Sequence, residues 1–155
     1  MLFTTSKRPC AETRMLCRYL ASLLPSGVCE SRGEKSVEAV IARARLLGKT
    51  RVAFIHGEKG RASEMHLVRV RASSWEWLEP AIKLKSVRFA ELPREPPECV
   101  VFEGPGSEDW RELLAGEECE DKRDAVRAVC SAHSLKFLFK RKKVIELVFD
   151  VSGRC

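Results

Sequence analysis

The side chains in this sequence that could bind a ligand are mainly cationic, and they cluster in two short loops. Lys7 and Arg8 follow the apolar segment Leu2–Thr5. Arg32 and Lys35 hold the equivalent position after a second short apolar segment. Each loop directly precedes a predicted helix, where free backbone N–H groups and the helix dipole favour an anion. The spacing therefore predicts contact with a phosphate chain, although two ordinary solvated loops would show the same pattern.

Two further groups of cations extend this pattern. Arg14 and Arg18 lie one turn apart on the first predicted helix, so they share a face that is either a cationic track or a plain surface. A four-residue basic run, which is usually a solvated turn, lies at the tip of a predicted hairpin near the end of the chain. In a chain that is basic elsewhere, this run predicts a second contact with a polyanion. Its members are Lys140, Arg141, Lys142 and Lys143.

The motifs of nucleotide-binding and hydrolytic enzymes are absent from the sequence. GxGxxG, GxxxxGKS/T, GxSxG and HExxH do not occur. His56, His66 and His133 have no partner at metal-ligand spacing, and the acidic residues at 117–121 lack the alternation of a calcium loop. We therefore expect no catalytic residues, no metal site and no cofactor.

Charge is spread unevenly along the 155 residues, whose formal net charge is +6. Residues 1–78 hold 14 Lys/Arg and 7 Asp/Glu, residues 91–124 hold 4 and 12, and residues 125–155 hold 7 and 2. This distribution favours a polyanionic partner on one face. No apolar run approaches the ~18 residues of a membrane span, and the first residues lack a signal-peptide core. We expect a soluble cytoplasmic protein with no membrane partner.

Seven cysteines occur at positions 10, 17, 29, 99, 119, 130 and 155, without a CxxC pair. A zinc ribbon or a thioredoxin-type motif is therefore disfavoured. We expect most of the cysteines to be buried as small apolar residues. On one helix, Cys10 and Cys17 would be about 10 Å apart along the axis, too far to bridge. An intracellular disulfide is the less favoured alternative, and the sequence does not select a pair.

The elements that must position the basic loops alternate between strand and helix. Before a proline-rich linker at 93–97, the patterning predicts strands at 2–5, 28–29, 52–55, 65–70 and 82–92, the last at a sheet edge, and helices at 9–24 and 36–47. After the linker, it predicts a strand at 99–102, helices at 107–114 and 124–132, an acidic loop at 116–121, and a hairpin of 135–139 and 144–151 around a turn at 140–143.

The order of elements after the linker partly repeats the order before it. Strand, helix, helix and hairpin follow strand, helix, strand, helix and hairpin, which suggests an internal duplication. We therefore predict an α/β fold, in which two pseudo-repeated halves with mixed sheets form a single domain over 1–155. The halves are 1–92 and 98–155.

Aromatic platforms for nucleotide bases are not obvious in the sequence. Phe137, Phe139 and Phe149 fall on predicted strands, where core packing is expected. Trp75 and Trp77 are expected to pack in the core or between the halves. Recognition of a nucleic acid would then rest on phosphates and shape rather than on base edges.

The first third of the chain also contains an ordered set of specific residues. These are Thr4-Thr5-Ser6-Lys7-Arg8-Pro9, Thr13-Arg14, Leu20 with Leu23-Leu24-Pro25, and Arg32-Gly33 before a helix that starts at Ser36. The combination resembles the Brix-domain family of ribosome-biogenesis proteins, in its short, single-domain archaeal form. The family's Thr-Ser-Arg-Arg-Pro-Ser motif falls on residues 5–10, where Lys7 replaces an arginine and Cys10 replaces a serine.

The resemblance implies two related α/β halves, similar to the anticodon-binding domain of class IIa aminoacyl-tRNA synthetases. It also implies a non-enzymatic, RNA-binding role in rRNA processing and subunit assembly, with ribosomal RNA or pre-rRNA and ribosome-assembly proteins as partners. The residues expected to bind RNA are Lys7, Arg8, Arg14, Arg18, Arg32, Lys35, Lys140, Arg141, Lys142 and Lys143. Two other functions stay open: a protein-interaction scaffold that uses the acidic 91–124 region, and a small enzyme that acts on a phosphorylated metabolite at the two loops.

Overall fold

The structure is a computed structural model that describes residues 1–95, 97–114, 119 and 125–150. Along the chain its elements are β1 (Leu2–Thr5), α1 (Ala11–Leu23), β2 (Val28–Glu30), α2 (Val37–Leu46), β3 (Arg51–Glu58), β4 (Arg61–Val70), β5 (Trp75–Phe89), β6 (Val100–Glu103), α3 (Ser107–Leu114), β7 (Val126–Ser131), β8 (Ser134–Phe139) and β9 (Lys142–Asp150). The strands form one nine-stranded sheet in the order β2-β1-β3-β4-β5-β9-β8-β7-β6.

Helices pack on both faces of the N-terminal part of the sheet, and the apolar runs of β1 and β3 follow from this. Strand β1 pairs in parallel with β2 and β3. Because side chains alternate along a strand, Leu2 and Phe54 meet α2, whereas Phe3 and Ile55 meet α1 on the other face. Both faces are covered, so these short strands read as continuous apolar segments.

The long strand β5 joins the two parts of the sheet. Its first part pairs with β4 as far as Lys83, and its second part pairs with β9 from Lys83 to Phe89. The C-terminal part of the sheet is therefore stepped along β5 relative to the N-terminal part. On the face covered by α1 and α3, one apolar core runs through both parts, from Phe3 to Phe137.

Polar contacts also hold α3 against the N-terminal part. Glu112 binds the guanidinium of Arg69, and Arg51 Nε donates to the backbone carbonyl of Glu112 at 3.2 Å. Burial lowers the pKa of Arg51, and the nearby charge of Arg69 lowers it further. The two parts of the chain are thus joined by the sheet, by the core and by this cluster.

The predicted helix at 124–132 is wrong, because residues 126–131 form strand β7. Val126, Ala128 and Cys130 are buried, while Arg127 and Ser131 are exposed, which is the alternation of a strand. The same segment also fits helical spacing at Val126, Val129 and Cys130, so local periodicity did not decide between the two. Pairing with β6 and β8 decided it.

The other boundaries differ in smaller ways. The predicted edge strand at 82–92 is the second part of β5, which lies in the interior of the sheet between β4 and β9. Helix α1 begins at Ala11, two residues after the proline expected in its first turn. The basic turn is confined to Lys140 and Arg141, because β9 starts at Lys142. The predicted acidic loop at 116–121 lies outside the described residues except for Cys119.

The expectation that most cysteines are simply buried apolar residues is also wrong, because four of the six described cysteines form disulfides. Disulfides join Cys17 to Cys29 and Cys99 to Cys119. The first ties α1 to β2, across Cα atoms 5.7 Å apart. Among the described cysteines, only Cys10 and Cys130 are free thiols, and burial raises the pKa of Cys130 to about 11.

Candidate nucleic-acid interface

The two basic loops lie side by side at one edge of the sheet. We call residues 6–10 loop 1 and residues 31–36 loop 2. They follow β1 and β2, which are adjacent and parallel, so both leave the sheet at the same end. The Thr4 hydroxyl donates to the carbonyl of Glu30 at 2.9 Å and fixes the two strand ends together.

Loop 1 presents its charges next to an uncapped helix. Lys7 and Arg8 are exposed. Cys10 is the N-cap residue of α1 and makes no side-chain capping hydrogen bond. Its carbonyl instead accepts the hydroxyl of Thr13 at 2.9 Å. The first N–H groups of α1 are therefore not taken up by a cap, and they add positive potential beside the two cations.

Loop 2 contributes side chains rather than a helix terminus. The hydroxyl of Ser36 accepts the N–H of Ala39 at 3.1 Å, so α2 is capped from within as predicted. Arg32 Nε donates to the carbonyl of Lys35, and Lys35 Nζ donates to the carbonyl of Ser31. The Arg32 guanidinium lies 5.2 Å from the centre of the Phe54 ring. These contacts hold both cations in place along the loop.

One weak ion pair connects the loops. Lys7 Nζ lies 3.5 Å from Glu34 Oε2, and these side chains are 52% and 89% exposed. A pair this exposed contributes roughly 0–1 kcal/mol to stability. Lys7 can therefore exchange this carboxylate for a phosphate at little cost.

Arg14 and Arg18 have different surroundings although they share a helix. Arg14 Nη1 donates to the carbonyl of Pro9 at 3.1 Å, so Arg14 belongs to loop 1. Arg18 lines a cleft of about 560 Å³ between the end of α1 and the linker, together with Pro93 and Arg94. The structure brings Arg14 to the loops and leaves Arg18 outside them.

The basic hairpin tip is a separate region. Strand β8 runs in the same direction as β1, so the turn at Lys140 and Arg141 faces the same way as the loops. Five strand spacings of about 4.8 Å separate β1 from β8, or roughly 24 Å across the sheet, and the step along β5 adds to this. Lys140 Nζ lies 5.3 Å from the centre of the Phe139 ring, and Lys143 Nζ donates to Glu146 at 3.0 Å. A ligand would have to be long to reach both regions.

Arg43 and Glu30 were not among the residues predicted from the sequence, and the fold brings them beside loop 2. Arg43 of α2 donates to the carboxylate of Glu30 at 2.9 Å, and this hydrogen bond lowers the pKa of Glu30. The negative charge at the end of β2 is thus neutralised beside loop 2. Burial and the charges of His66 and Arg32 lower the pKa of His56, which favours its neutral form. Only the fold places these groups beside the loops.

The described residues contain neither a cluster of metal-binding side chains nor a membrane-spanning helix. Among them, no group of three or more His, Cys, Asp or Glu side chains could hold a metal ion. None of their helices is both long and apolar enough to cross a membrane.

Comparison with curated proteins identifies relatives for part of the chain. A probable Brix domain-containing ribosomal biogenesis protein of Pyrococcus horikoshii is 31% identical over 78 residues, which cover 50% of this chain and 35% of the relative. A protein of the same description from Methanopyrus kandleri is 32% identical over a 79-residue alignment, and the match covers 46% of this chain and 41% of the relative. The chain thus matches only about a third to two fifths of the length of these relatives. No family model matches the chain.

Comparison with solved structures covers nearly the whole chain. A probable ribosomal biogenesis protein from Aeropyrum pernix superimposes with a TM-score of 0.78 at 18% identity, covering 96% of this chain and 93% of that one. Mil, an archaeal Imp4-like protein, superimposes with a TM-score of 0.73 at 22% identity, covering 96% of both. The predicted resemblance to the Brix-domain family of archaeal ribosome-biogenesis proteins is confirmed, by sequence over half of the chain and by fold over nearly all of it.

Proposed function

We propose that this chain is a non-catalytic RNA-binding protein of ribosome biogenesis that acts in rRNA processing and subunit assembly. The observation that carries the proposal is the placement of loops 1 and 2 side by side. It collects Lys7, Arg8, Arg32 and Lys35 at one sheet edge, next to the uncapped start of α1. Phosphates of a nucleic-acid backbone fit this arrangement. The names of the archaeal relatives supply the cellular process, which is ribosome biogenesis. Ribosomal RNA or pre-rRNA is the ligand that fits both this process and the arrangement of cations.

Arg14 belongs to the proposed contact surface, and the tip with Lys140, Arg141, Lys142 and Lys143 is a second contact on the same RNA. Arg18, which faces the cleft beside the linker, is a peripheral contact at most. Assembly proteins are further proposed partners, for which the described residues single out no surface.

The two alternative functions receive less support. A crevice beside loop 2, lined by Thr4, Glu30 and Lys35, has a volume of about 10 Å³. A phosphorylated metabolite cannot enter it, since a space of about 10–15 Å³ on this measure holds a single water molecule. The acidic 91–124 region lies partly outside the described residues, and inside them Glu103 and Glu112 already bind Arg127 and Arg69.

The pairing pattern supports the further inference that the chain is a single domain of two pseudo-repeated halves. In the first, β1 pairs in parallel with β3, which pairs antiparallel with β4, and β4 with β5. In the second, β6, β7, β8 and β9 follow the same series. The last strands of the two series, β5 and β9, pair antiparallel, as a twofold relation requires. Similarity to the anticodon-binding domain of class IIa aminoacyl-tRNA synthetases remains part of this proposal.

The experiment is a salt titration of binding to a fragment of archaeal pre-rRNA, comparing the wild type with the double variant Lys7→Ala/Arg8→Ala. Each lost phosphate contact should reduce the slope of log affinity against log salt by about 0.7 for single strands. The double variant should therefore bind more weakly and show a slope smaller by about 1.4. An unchanged slope and affinity would refute the role of loop 1.

The matched control removes two cations from the opposite end of the strands. Lys49→Ala/Arg71→Ala gives the same net charge as the test variant, but Lys49 follows α2 and Arg71 follows β4, at the far ends of the strands. If binding followed net charge alone, both variants would weaken it equally. The proposal expects a clear loss only for the loop 1 variant.

A further inference from the structure

One face of the C-terminal part of the sheet has no helix packed on it in the described structure. Helices α1 and α3 share a core on one face, and α2 packs on the other face over β1, β3 and β4. Beyond β4, the face that carries α2 continues along β5, β9, β8, β7 and β6. We call this surface the open face. Its side chains are mostly polar, as in the cross-strand row Arg88, Glu146, Lys136, Val129 and Glu103.

An aromatic platform lies at the border between the part of the sheet that α2 covers and the open face. Trp77 is on β5 opposite Val68, and it remains 39% exposed. Its ring centre is 5.5 Å from that of Phe54 and 6.1 Å from that of His66. The Trp75 ring lies against it as well, at 5.8 Å, so three rings hold Trp77 in place while part of it stays exposed to solvent. The sequence had suggested core packing for this residue, and its exposure is therefore a finding of the fold.

Loop 2 reaches the same cluster. The Arg32 guanidinium packs over Phe54, whose ring also supports Trp77. The proposed phosphate contacts and the exposed ring are therefore parts of one continuous surface. A chain of nucleotides that leaves loop 2 along the sheet would meet Trp77 next.

The charge of the open face suits a polyanion. Among the described side chains of this face, six cations lie against four carboxylates. Three of the carboxylates are paired: Glu103 with Arg127, Asp150 with Lys85, and Glu146 with Lys143, Lys136 and Arg88. The fourth, Glu79, shares the face of Trp77 by alternation along β5, and the sixth cation, Lys83, lies six residues after Trp77 and is exposed. The surplus of two positive charges favours phosphates.

The apolar content of the surface argues against a protein as its occupant. Three large hydrophobic side chains are exposed in the described structure: Met15 on α1, Leu46 on α2, and Trp77 on the open face. Protein interfaces need a cluster of apolar anchors at their centre. A single aromatic ring among cations is the arrangement that stacks an unpaired base.

We propose that the open face binds a single-stranded RNA segment, with a base stacked on Trp77 and the flanking phosphates held by Arg32 and Lys83. This rests on the proposed function, since it takes RNA as the ligand. It adds that part of the RNA must be unpaired, because a base inside a duplex cannot present its face to the ring.

The test compares two probes, a 12-nucleotide oligouridine and a 12-base-pair RNA duplex, for binding to the full chain. Trp77→Ala should weaken oligouridine binding about 5- to 150-fold, the range for loss of one stacked base, and duplex binding less than about twofold. Trp77→Phe, which keeps an aromatic ring, should retain most of the affinity. Leu46→Ala, which removes an exposed apolar side chain from α2, should change neither affinity.

A second measurement does not depend on how well Trp77→Ala folds. In the variant Trp75→Phe/Trp110→Phe, Trp77 is the remaining tryptophan. Oligouridine should quench its fluorescence, and the duplex should quench it much less. Equal quenching by both probes, no quenching, or a Trp77→Ala variant that binds oligouridine like the wild type would overturn the inference and leave the open face to a protein partner. If the wild type binds neither probe, the proposed function itself fails, which separates the two results.

Discussion

The turn between β8 and β9 is built from residues that are poorly suited to its backbone. Lys140 has φ = 47° and Arg141 has φ = 66°, so both adopt the left-handed conformation. A two-residue hairpin turn of this kind strongly favours Asn-Gly. We predict that Lys140→Asn/Arg141→Gly stabilises the protein, because it relieves the backbone strain at these two residues. The same substitution should weaken RNA binding, because it removes two positive charges from the tip.

The expected gain follows from three contributions. Each strained residue costs about 1 kcal/mol at the lower end of the usual range. The substitution also removes the contact of Lys140 with the Phe139 ring, which at an exposed site is worth about 0.5 kcal/mol. The net gain is then about 1.5 kcal/mol, which raises Tm by about 3–6 °C in a chain of this size. If both residues contact phosphates, the salt slope of RNA binding falls by about 1.4.

The assays are thermal unfolding and a salt titration of binding to the same pre-rRNA fragment. Lys59→Asn is the matched control for stability, because Lys59 has φ = 51° in the β3–β4 turn and is already followed by Gly60. It relieves strain at one residue and should give about 1 kcal/mol, or two thirds of the gain. A Tm that stays constant or falls in the double variant would show that the tip is not strained. A stabilised variant with an unchanged salt slope would show that the tip does not contact RNA.

Three further predictions concern stability. The hydrogen bond from Lys143 lowers the pKa of Glu146 in the folded protein. Ionised Glu146 therefore stabilises the fold above its unfolded pKa of about 4.5, and this contribution is lost as pH falls below that value. In urea unfolding, Glu146→Gln should flatten this loss of stability at acid pH, and an unchanged pH profile would contradict the assignment. The Cys17–Cys29 disulfide spans 12 residues, and its reduction should lower the free energy of unfolding by about 3 kcal/mol. The control is the variant Cys17→Ser/Cys29→Ser, whose stability should change less when reducing agent is added. Gly104→Ala should cost at least about 2 kcal/mol in urea unfolding, because φ is +92° and a β-carbon would overlap the Cys130 carbonyl; wild-type stability would refute this.

Much of the N-terminal part of the fold could be predicted from local signals. The turn at residues 25–27, the Ser36 cap and Gly48 at φ = 64° mark the ends of helices α1 and α2. Buried strands such as β3 appear as continuous apolar runs. These signals depend on a few neighbouring residues, so they survive without knowledge of the rest of the chain.

Other parts could not be predicted, because they depend on contacts between residues far apart in sequence. The segment at 126–131 fits both periodicities, and only its neighbours β6 and β8 make it a strand. Strand β5 becomes interior because β9 arrives from about 60 residues away to pair with it. The pairing of Cys17 with Cys29 likewise required the approach of α1 to β2.

The sequence by itself determined the chemistry of the candidate site: cations in two loops that follow short strands and precede helices. Tertiary structure decided which cations lie together, since residues 7, 8, 14, 32 and 35 meet at one end of the strands while Arg18 and the hairpin tip lie apart. It also decided that Trp77 is exposed on an open face. The physical reason is that charge and helix capping are properties of local sequence, whereas proximity and exposure depend on how the sheet is ordered and which of its faces the helices cover.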